Sequence, residues 1–248
     1  MKRIILFLMM AAFSFPFTGC KSAAESKDDV FTTKNGTEIS FTCIKHASVG
    51  IQVGDKWIYV DPVIKASGTE TDYSVFPKAD YIVVTHNHYD HFDSLAVEQL
   101  SKEGTVFVAD PASVEALGRG VALRNGESYD TAEGWKIEAV PAYNTSEEKL
   151  QFHPKGRDNG YIINVDGFRI YFGGDLEVIP ELSDVKDIDV AFLPCNLPFT
   201  MTPEQCNEAA RIVAPKVLFP YHYGDTDIQK LVDLLDGSGM DVRIRQYQ

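Results

Sequence analysis

The chain has 248 residues, of which 44% are apolar and 24% charged, a composition that suits one large domain with its own core and excludes a disordered or fibrous chain. Its formal net charge of −13 repels polyanions, so nucleic acid and anionic lipid are excluded as charge-bound partners and a small-molecule substrate is favoured. The four cysteines stand at irregular spacing, which supplies neither a disulfide framework nor a zinc-ligand pattern.

Residues 1–20 open on Lys2 and Arg3, continue through an apolar run and close on Thr18-Gly19-Cys20. That order reads as a secretion leader rather than as part of the fold. The small residues before Cys20 resemble a bacterial lipoprotein signal, with Phe17 where Leu is usual. The resemblance implies an exported protein on the periplasmic or cell-surface side, with a lipid anchor at Cys20 as its only membrane contact. An ordinary cleaved leader and an uncut anchor are the alternatives. Residues 21–37 read as a flexible tether and the start of the domain, and residues 38–248 as the domain itself.

Residues 39–44, 49–53 and 57–60 are rich in β-branched and aromatic side chains and are separated by short polar turns. They predict an antiparallel meander, because connections this short cannot cross over. His46 lies between the first two strands and Asp61 closes the third. Residues 65–78 are rich in Ser, Thr, Gly and Asp and read as a loop able to overhang a site. A buried strand is predicted at 81–84, a helix capped by Asp93 at 93–100, a strand at 105–109 and a short helix at 112–117. Strands at 135–140 and 161–165 follow, separated by a long loop that holds His153. The Asp166-Gly167 turn joins the latter to a strand at 168–172 as a hairpin. A strand at 188–193, a helix at 203–213 with Pro203 in its first turn, a strand at 216–220, a helix near 227–235 and a strand at 242–244 complete the chain. Two similar β-rich halves with helices outside predict an α/β (α+β) protein built as a sandwich of two sheets. Cys43 and Cys206 are expected to be buried as small apolar groups.

Between the strand at 81–84 and the helix at 93–100 stands Thr85-His86-Asn87-His88-Tyr89-Asp90-His91. Three imidazoles and a carboxylate in one turn point to a metal site, because neutral imidazole is the commonest metal ligand. His86 and His88, two residues apart, face the same way in an extended chain. Asp90 and His91 follow as the chain turns and can face a second ion about 3.5–4 Å from the first. Asp175 and His222 also lie just past strands. Each alone reads as a turn or core residue; together they offer the bridging carboxylate and the further imidazole that a dinuclear site still lacks.

These residues resemble the metallo-β-lactamase superfamily, whose His-X-His-X-Asp-His motif, later Asp and final His match His86, His88, Asp90, His91, Asp175 and His222. The phrases His46-Ala47-Ser48, Asp61-Pro62, Gly173-Gly174-Asp175 and Tyr221-His222-Tyr223 are most similar to the L-ascorbate-6-phosphate lactonase-like branch of metal-dependent hydrolases. The likeness runs over residues 38–224. It implies an αββα four-layer sandwich with two divalent metal ions at one edge, zinc first and manganese or iron as alternatives. In the superfamily a third histidine usually completes the first site, and here Asn144 stands at that place. His153 is the expected replacement, with Asn144 as a weak oxygen ligand the alternative. His46 and Asp61 are expected to orient ligating imidazoles from behind.

The ligand set implies a hydrolase in which metal-bound hydroxide attacks a lactone or phosphoester while Asp90 passes the proton to the leaving group. A residual charge of about +1 at such a centre favours an anionic substrate. Lys155 and Arg157 are candidate anion binders and Tyr223 a candidate oxyanion donor. Two rivals share the fold: a single-iron dioxygenase using His86, His88 and Asp175, and a non-catalytic surface lipoprotein that keeps metal for stability.

Overall fold

A computed structural model describes residues 29–66 and 68–247; the leader, Cys20 and nearly all of the tether lie outside the described residues. The first half of the chain forms β1 (Val30–Thr32), β2 (Glu38–Lys45), β3 (Ser48–Val53) and β4 (Lys56–Val60), then a small ribbon of β5 (Lys65–Ala66) and β6 (Thr69–Glu70). It continues with β7 (Tyr81–Val84), α1 (Ser94–Leu100), β8 (Val106–Ala109), α2 (Pro111–Leu117) and β9 (Val121–Ala122). The second half forms β10 (Ser128–Asp130), β11 (Lys136–Ala142), β12 (Asp158–Val165), β13 (Phe168–Phe172), β14 (Val190–Pro194), α3 (Pro203–Val213), β15 (Val217–Tyr221), α4 (Gln229–Leu234) and β16 (Asp241–Val242).

Each half contributes one seven-stranded sheet, ordered β1-β2-β3-β4-β7-β8-β9 and β10-β11-β12-β13-β14-β15-β16. The pairing pattern is the same in both. The first four strands pair antiparallel and the rest parallel. Tight turns join most of the antiparallel strands, β11 and β12 being linked by a long loop, whereas crossovers such as those through α1, α2 and α3 permit the parallel part.

Alternation along each strand sorts the apolar side chains into three layers. Val49, Ile51, Ile58, Val60 and Val83 of the first sheet face Ile137, Ile163, Phe172, Phe192 and Phe219 of the second across a central core. The opposite faces do not meet water. Tyr59, Ile82, Val84 and Phe107 pack under α1 and α2, and Ile162, Tyr171, Ala191 and Leu218 pack under α3 and α4. The result is an αββα sandwich, which explains why β7, β14 and β15 read as unbroken apolar runs: both of their faces are covered. Each large side chain buried this way contributes about 1.5–3 kcal/mol.

Helix starts follow local chemistry. Asp93 and Asp110 accept hydrogen bonds from the first-turn amides of α1 and α2, and Thr202 with Gln205 forms a capping box ahead of α3. Ordered structure begins ahead of residue 38, because Val30–Thr32 pairs with β2 and Asp29 receives both Arg243 and Arg245. Residues 65–66 and 68–78 are not a bare loop. They fold into the β5–β6 ribbon and a 3-10 turn whose Tyr73 is fully buried and whose backbone N–H donates to Gln99 on α1. Short β9 and β10 join the sheets at places where no strand was expected, and the final strand ends at Val242 instead of running to 244. Cys195 and Cys206 are buried and Cys43 half-buried, all as free thiols. Among the described residues no helix is long and apolar enough to cross a membrane.

Candidate metal centre

The chain contains six histidines, and all six meet at one edge of the sandwich. Their ligand atoms fall into overlapping clusters: His86, His88 and His153; His86, His91 and Asp175; and His46, Asp90, His91 and His222, each set lying within 4.8 Å. Strand ends deliver most of them. β7 ends directly before Thr85 and His86, β4 before Asp61, β15 before His222, and the β2–β3 turn carries His46. The edges of the two sheets are tied there by backbone hydrogen bonds, from Asn159 N to Thr85 O (3.0 Å) and from His222 N to His46 O (3.0 Å).

Holding these side chains in place takes unusual backbone. His46, Asp61 and His222 have φ of 49°, 46° and 47°, left-handed values that cost a side-chain-bearing residue on the order of 1–3 kcal/mol and concentrate at functional sites. Gly174, at φ 64°, sits before Asp175 where a Cβ would lie 2.7 Å from Asn159 O and 3.3 Å from Thr85 Cβ. Only glycine lets that backbone come so close to the histidine turn.

A buried network sets the tautomers. Asp61 accepts from Thr85 N (2.7 Å), from Thr85 Oγ1 (2.8 Å) and from His91 Nδ1 (2.8 Å). With its hydrogen committed to Asp61, Thr85 Oγ1 can only accept from His86 Nδ1, 2.9 Å away. Both His86 and His91 thereby carry a proton on Nδ1 and turn Nε2 inward, the arrangement that outer carboxylates impose on ligating imidazoles. His86 Nε2 lies 3.0 Å from His88 Nδ1, which lies 3.3 Å from His153 Nε2. Asp175 stands in the middle, 3.2 Å from His91 Nε2, 3.3 Å from His153 Nε2 and 3.4 Å from His222 Nε2. Asp90 lies 3.2 Å from His46 Nε2 and 3.7 Å from His222 Nε2.

The charge states suit a cation. Burial, then His91, holds His86 well below the usual imidazole range; burial and Arg157 lower His88. Burial takes His46 and His153 down to about 4 against the opposing pull of Asp90 and Asp175. These four rings are neutral at pH 7, the form that binds metal. Burial also disfavours a charged His91, yet Asp175 and Asp61 outweigh it and raise that ring well above its ordinary value. Burial opposes ionisation of Asp90 and Asp175 as well, but His222 with His46 and His222 with His91 hold them well below the usual carboxylate range. His91 Nε2, His222 Nε2 and Asp175 Oδ1 are buried and make no hydrogen bond. Three such atoms converging on one point, among nitrogen and oxygen donors only, fits a divalent ion.

Residues 40–222 match the family model described as the beta-lactamase superfamily domain. The chain belongs to this superfamily. It is 32% identical over 186 residues to a UPF0173 metal-dependent hydrolase of Thermococcus onnurineus, covering 72% of this chain and 81% of the relative. A solved structure from Parabacteroides distasonis, described as a candidate metal-dependent hydrolase, is 49% identical, superposes with a TM-score of 0.86 and covers 90% of this chain and 100% of its own. Igni18, a metallo hydrolase from Ignicoccus hospitalis, is 26% identical with a TM-score of 0.71, covering 84% and 95%. The protein is a metal-dependent hydrolase of the metallo-β-lactamase fold.

In this metallo-β-lactamase-type centre His153 joins the cluster, and Asn144 stands directly behind it, its amide nitrogen 3.2 Å from His153 Nδ1. The Asn144 amide nitrogen donates to the carbonyls of Lys149 (3.2 Å) and Phe199 (2.9 Å). Asn144 thus fastens the loop that carries His153, whose Nε2 occupies the space between His88 and Asp175. Asp61 lies behind the cluster, whereas His46, expected there too, stands among the ligand atoms with its Nε2 3.2 Å from Asp90.

Each of the three expected substrate-binding groups has a protein partner. Lys155 is exposed and paired with Glu181 (2.7 Å) and the Tyr143 hydroxyl (3.1 Å). Arg157 is bidentate on Asp158 (2.6 and 2.8 Å), with Nη2 also 3.2 Å from His88 Nε2. It backs a histidine instead of facing the cleft. The Tyr223 hydroxyl donates to the Arg245 carbonyl and its ring meets Tyr247 edge-on, and with His46 it lines a neighbouring cavity of about 210 Å³. Two features escaped sequence reasoning. Thr85 is a hub of the network although it was read only as the start of the motif. Glu177, fully buried, accepts from Thr145 N, Ser146 N and Lys149 Nζ (2.7 Å), a pairing of distant residues with no local signature.

Proposed function

We propose that the chain hydrolyses a small lactone, with a phosphoester as the second candidate, at two divalent ions. One would be held by His86, His88 and His153, the other by Asp90, His91 and His222, with Asp175 shared. The observation that carries this reading is the central position of Asp175 between two sets of inward-facing imidazoles. Two divalent ions bound there supply a water whose pKa is lowered toward roughly 7 and a Lewis acid for the acyl or phosphoryl oxygen.

The chain's own groups do the rest. Asp90, kept ionised and held by His46, takes the proton of the attacking water at Oδ2 and returns it to the leaving oxygen. Asp61 and Thr85 hold His86 and His91 in the tautomer that presents Nε2. The cleft beside the imidazoles is lined by His88, Tyr89, Asp90, Phe152, His153, Asp175 and Phe199, with no lysine or arginine. That lining supports a lactone over a phosphoester, because a phosphate dianion would find no cationic side chain there.

The test is metal analysis of protein purified without chelator, followed by a screen of lactones, phosphodiesters and thioesters. Two ions per chain, lactone turnover and a loss of about 10²–10⁴-fold in kcat for Asp90→Asn are expected. A single iron with oxygen-dependent product formation would instead favour the dioxygenase. No turnover, together with unfolding on chelation, would favour a structural metal.

A further inference from the structure

The far wall of the cleft is apolar. Its cavity of about 350 Å³ is walled beyond the ligands by Tyr89, Phe152 and Phe199, a size within the roughly 300–1,000 Å³ range of ligand pockets. Tyr89 is 82% exposed and Phe199 41%, and Phe152 meets Phe199 edge-on at 5.3 Å. Tyr89 stands between His88 and Asp90 in the motif. Those two side chains turn inward to the cluster, and the intervening ring projects outward beside them.

The two loops that present Phe152 and Phe199 are braced from behind. Lys149 Nζ donates to Glu177 (2.7 Å) and to Thr200 O (2.8 Å), Phe152 N donates to Lys149 O (2.9 Å), and Asn144 Nδ2 donates to Phe199 O. The aromatic wall is therefore a preorganised surface continuous with the cluster, and the nearby cations are committed to Glu181 and Asp158.

We propose that the substrate is an acyl compound, lactone or ester, with an alkyl or aryl arm that seats against Tyr89, Phe152 and Phe199 while its carbonyl lies at the imidazoles. This rests on the hydrolase reading of the same site. The reaction adds water across the acyl C–O bond. The water oxygen bonds to the acyl carbon, the bond to the leaving oxygen breaks, and that oxygen receives a proton from Asp90; nothing is oxidised or reduced.

Two measurements on the metal-loaded protein separate the subsite from the chemistry. Calorimetric binding of straight-chain alkanoates, the product class, from acetate to decanoate reads the subsite without turnover. Affinity is expected to rise about fourfold per buried methylene until the cavity is full. Tyr89→Ser, at a side chain outside every core, and Phe199→Ala are expected to flatten that gradient with metal content unchanged. Initial rates on γ-lactones of increasing side-chain length read the chemistry, and kcat/KM is expected to climb in parallel. A gradient in binding without turnover of any lactone keeps the subsite and overturns the hydrolase reading. Turnover with flat binding and rates, or a preference for short phosphorylated esters, overturns the apolar arm.

Discussion

His46 and His153 occupy equivalent places in two sheets of the same pairing pattern, each in the connection between second and third strands, yet they reach the site by different means. The β2–β3 connection is the tight turn at His46-Ala47, and the histidine is set there by a left-handed backbone whose carbonyl receives His222 N. The β11–β12 connection runs through residues 143–157, and His153 is fixed by contacts outside its own segment: Asn144 to Phe199, and Lys149 to Glu177 and Thr200. A short turn places a side chain through its backbone alone. A long loop must lose far more conformational freedom, and here a buried ion pair and an amide supply the restraint.

That difference is open to attack in order of effect. His153→Ala is expected to lower metal content from two ions per chain to one, whereas Asn144→Ala keeps both; elemental analysis reads the outcome, and equal losses would mean that the two residues share the ligand role. Lys149→Met leaves Glu177, whose carboxyl is held at about 2 by that lysine and by the Ser146 and Thr145 donors despite its burial, in the interior without its cation. A loss of about 3–5 kcal/mol in urea unfolding is expected, with the His153 ion released first. Asp61→Ala, which touches only the first half, is expected to weaken metal binding about 10–100-fold by freeing the His91 and Thr85 donors, with the fold retained. Titration against a competing chelator measures it, and unchanged affinity would remove Asp61 from the orienting role.

The smallest effect is in pH. His46 and His153, near 4 when folded against 6.5 in the open chain, bind more protons once unfolded, so chelated protein is expected to lose stability as pH falls from about 6.5 toward 4. His91, raised, acts in the opposite sense: its contribution is complete below 6.5 and fades as pH climbs through its folded value. Asp90 and Asp175, depressed, stabilise above about 3.8 and give this up below it. The midpoint of thermal unfolding across pH 4–8 checks the sum, and restored metal is expected to flatten the acid side down to the point where protons displace the ions.

The residues of the first half were legible because their chemistry is local. Thr85 through His91 is a single turn after an apolar strand, and spacing alone says which side chains share a face. The strand-ending Asp175 and His222 were legible only jointly, through their resemblance to an ordered set of motifs. Lys155, Arg157 and Tyr223 show what local reading leaves out: a charge or hydroxyl near a ligand in sequence also has partners in space, here Glu181, Asp158 and the Arg245 carbonyl.

By itself the sequence determined the two-sheet architecture, since apolar periodicity and turn chemistry are properties of neighbouring residues, and it determined the donor types from which a metal centre is made. Only the tertiary structure decided that His153 faces Asp175, that Glu177 and Lys149 brace the loop, and that aromatic rings wall the cleft. Those outcomes depend on contacts between segments tens of residues apart, where packing and burial select among partners that no local pattern distinguishes.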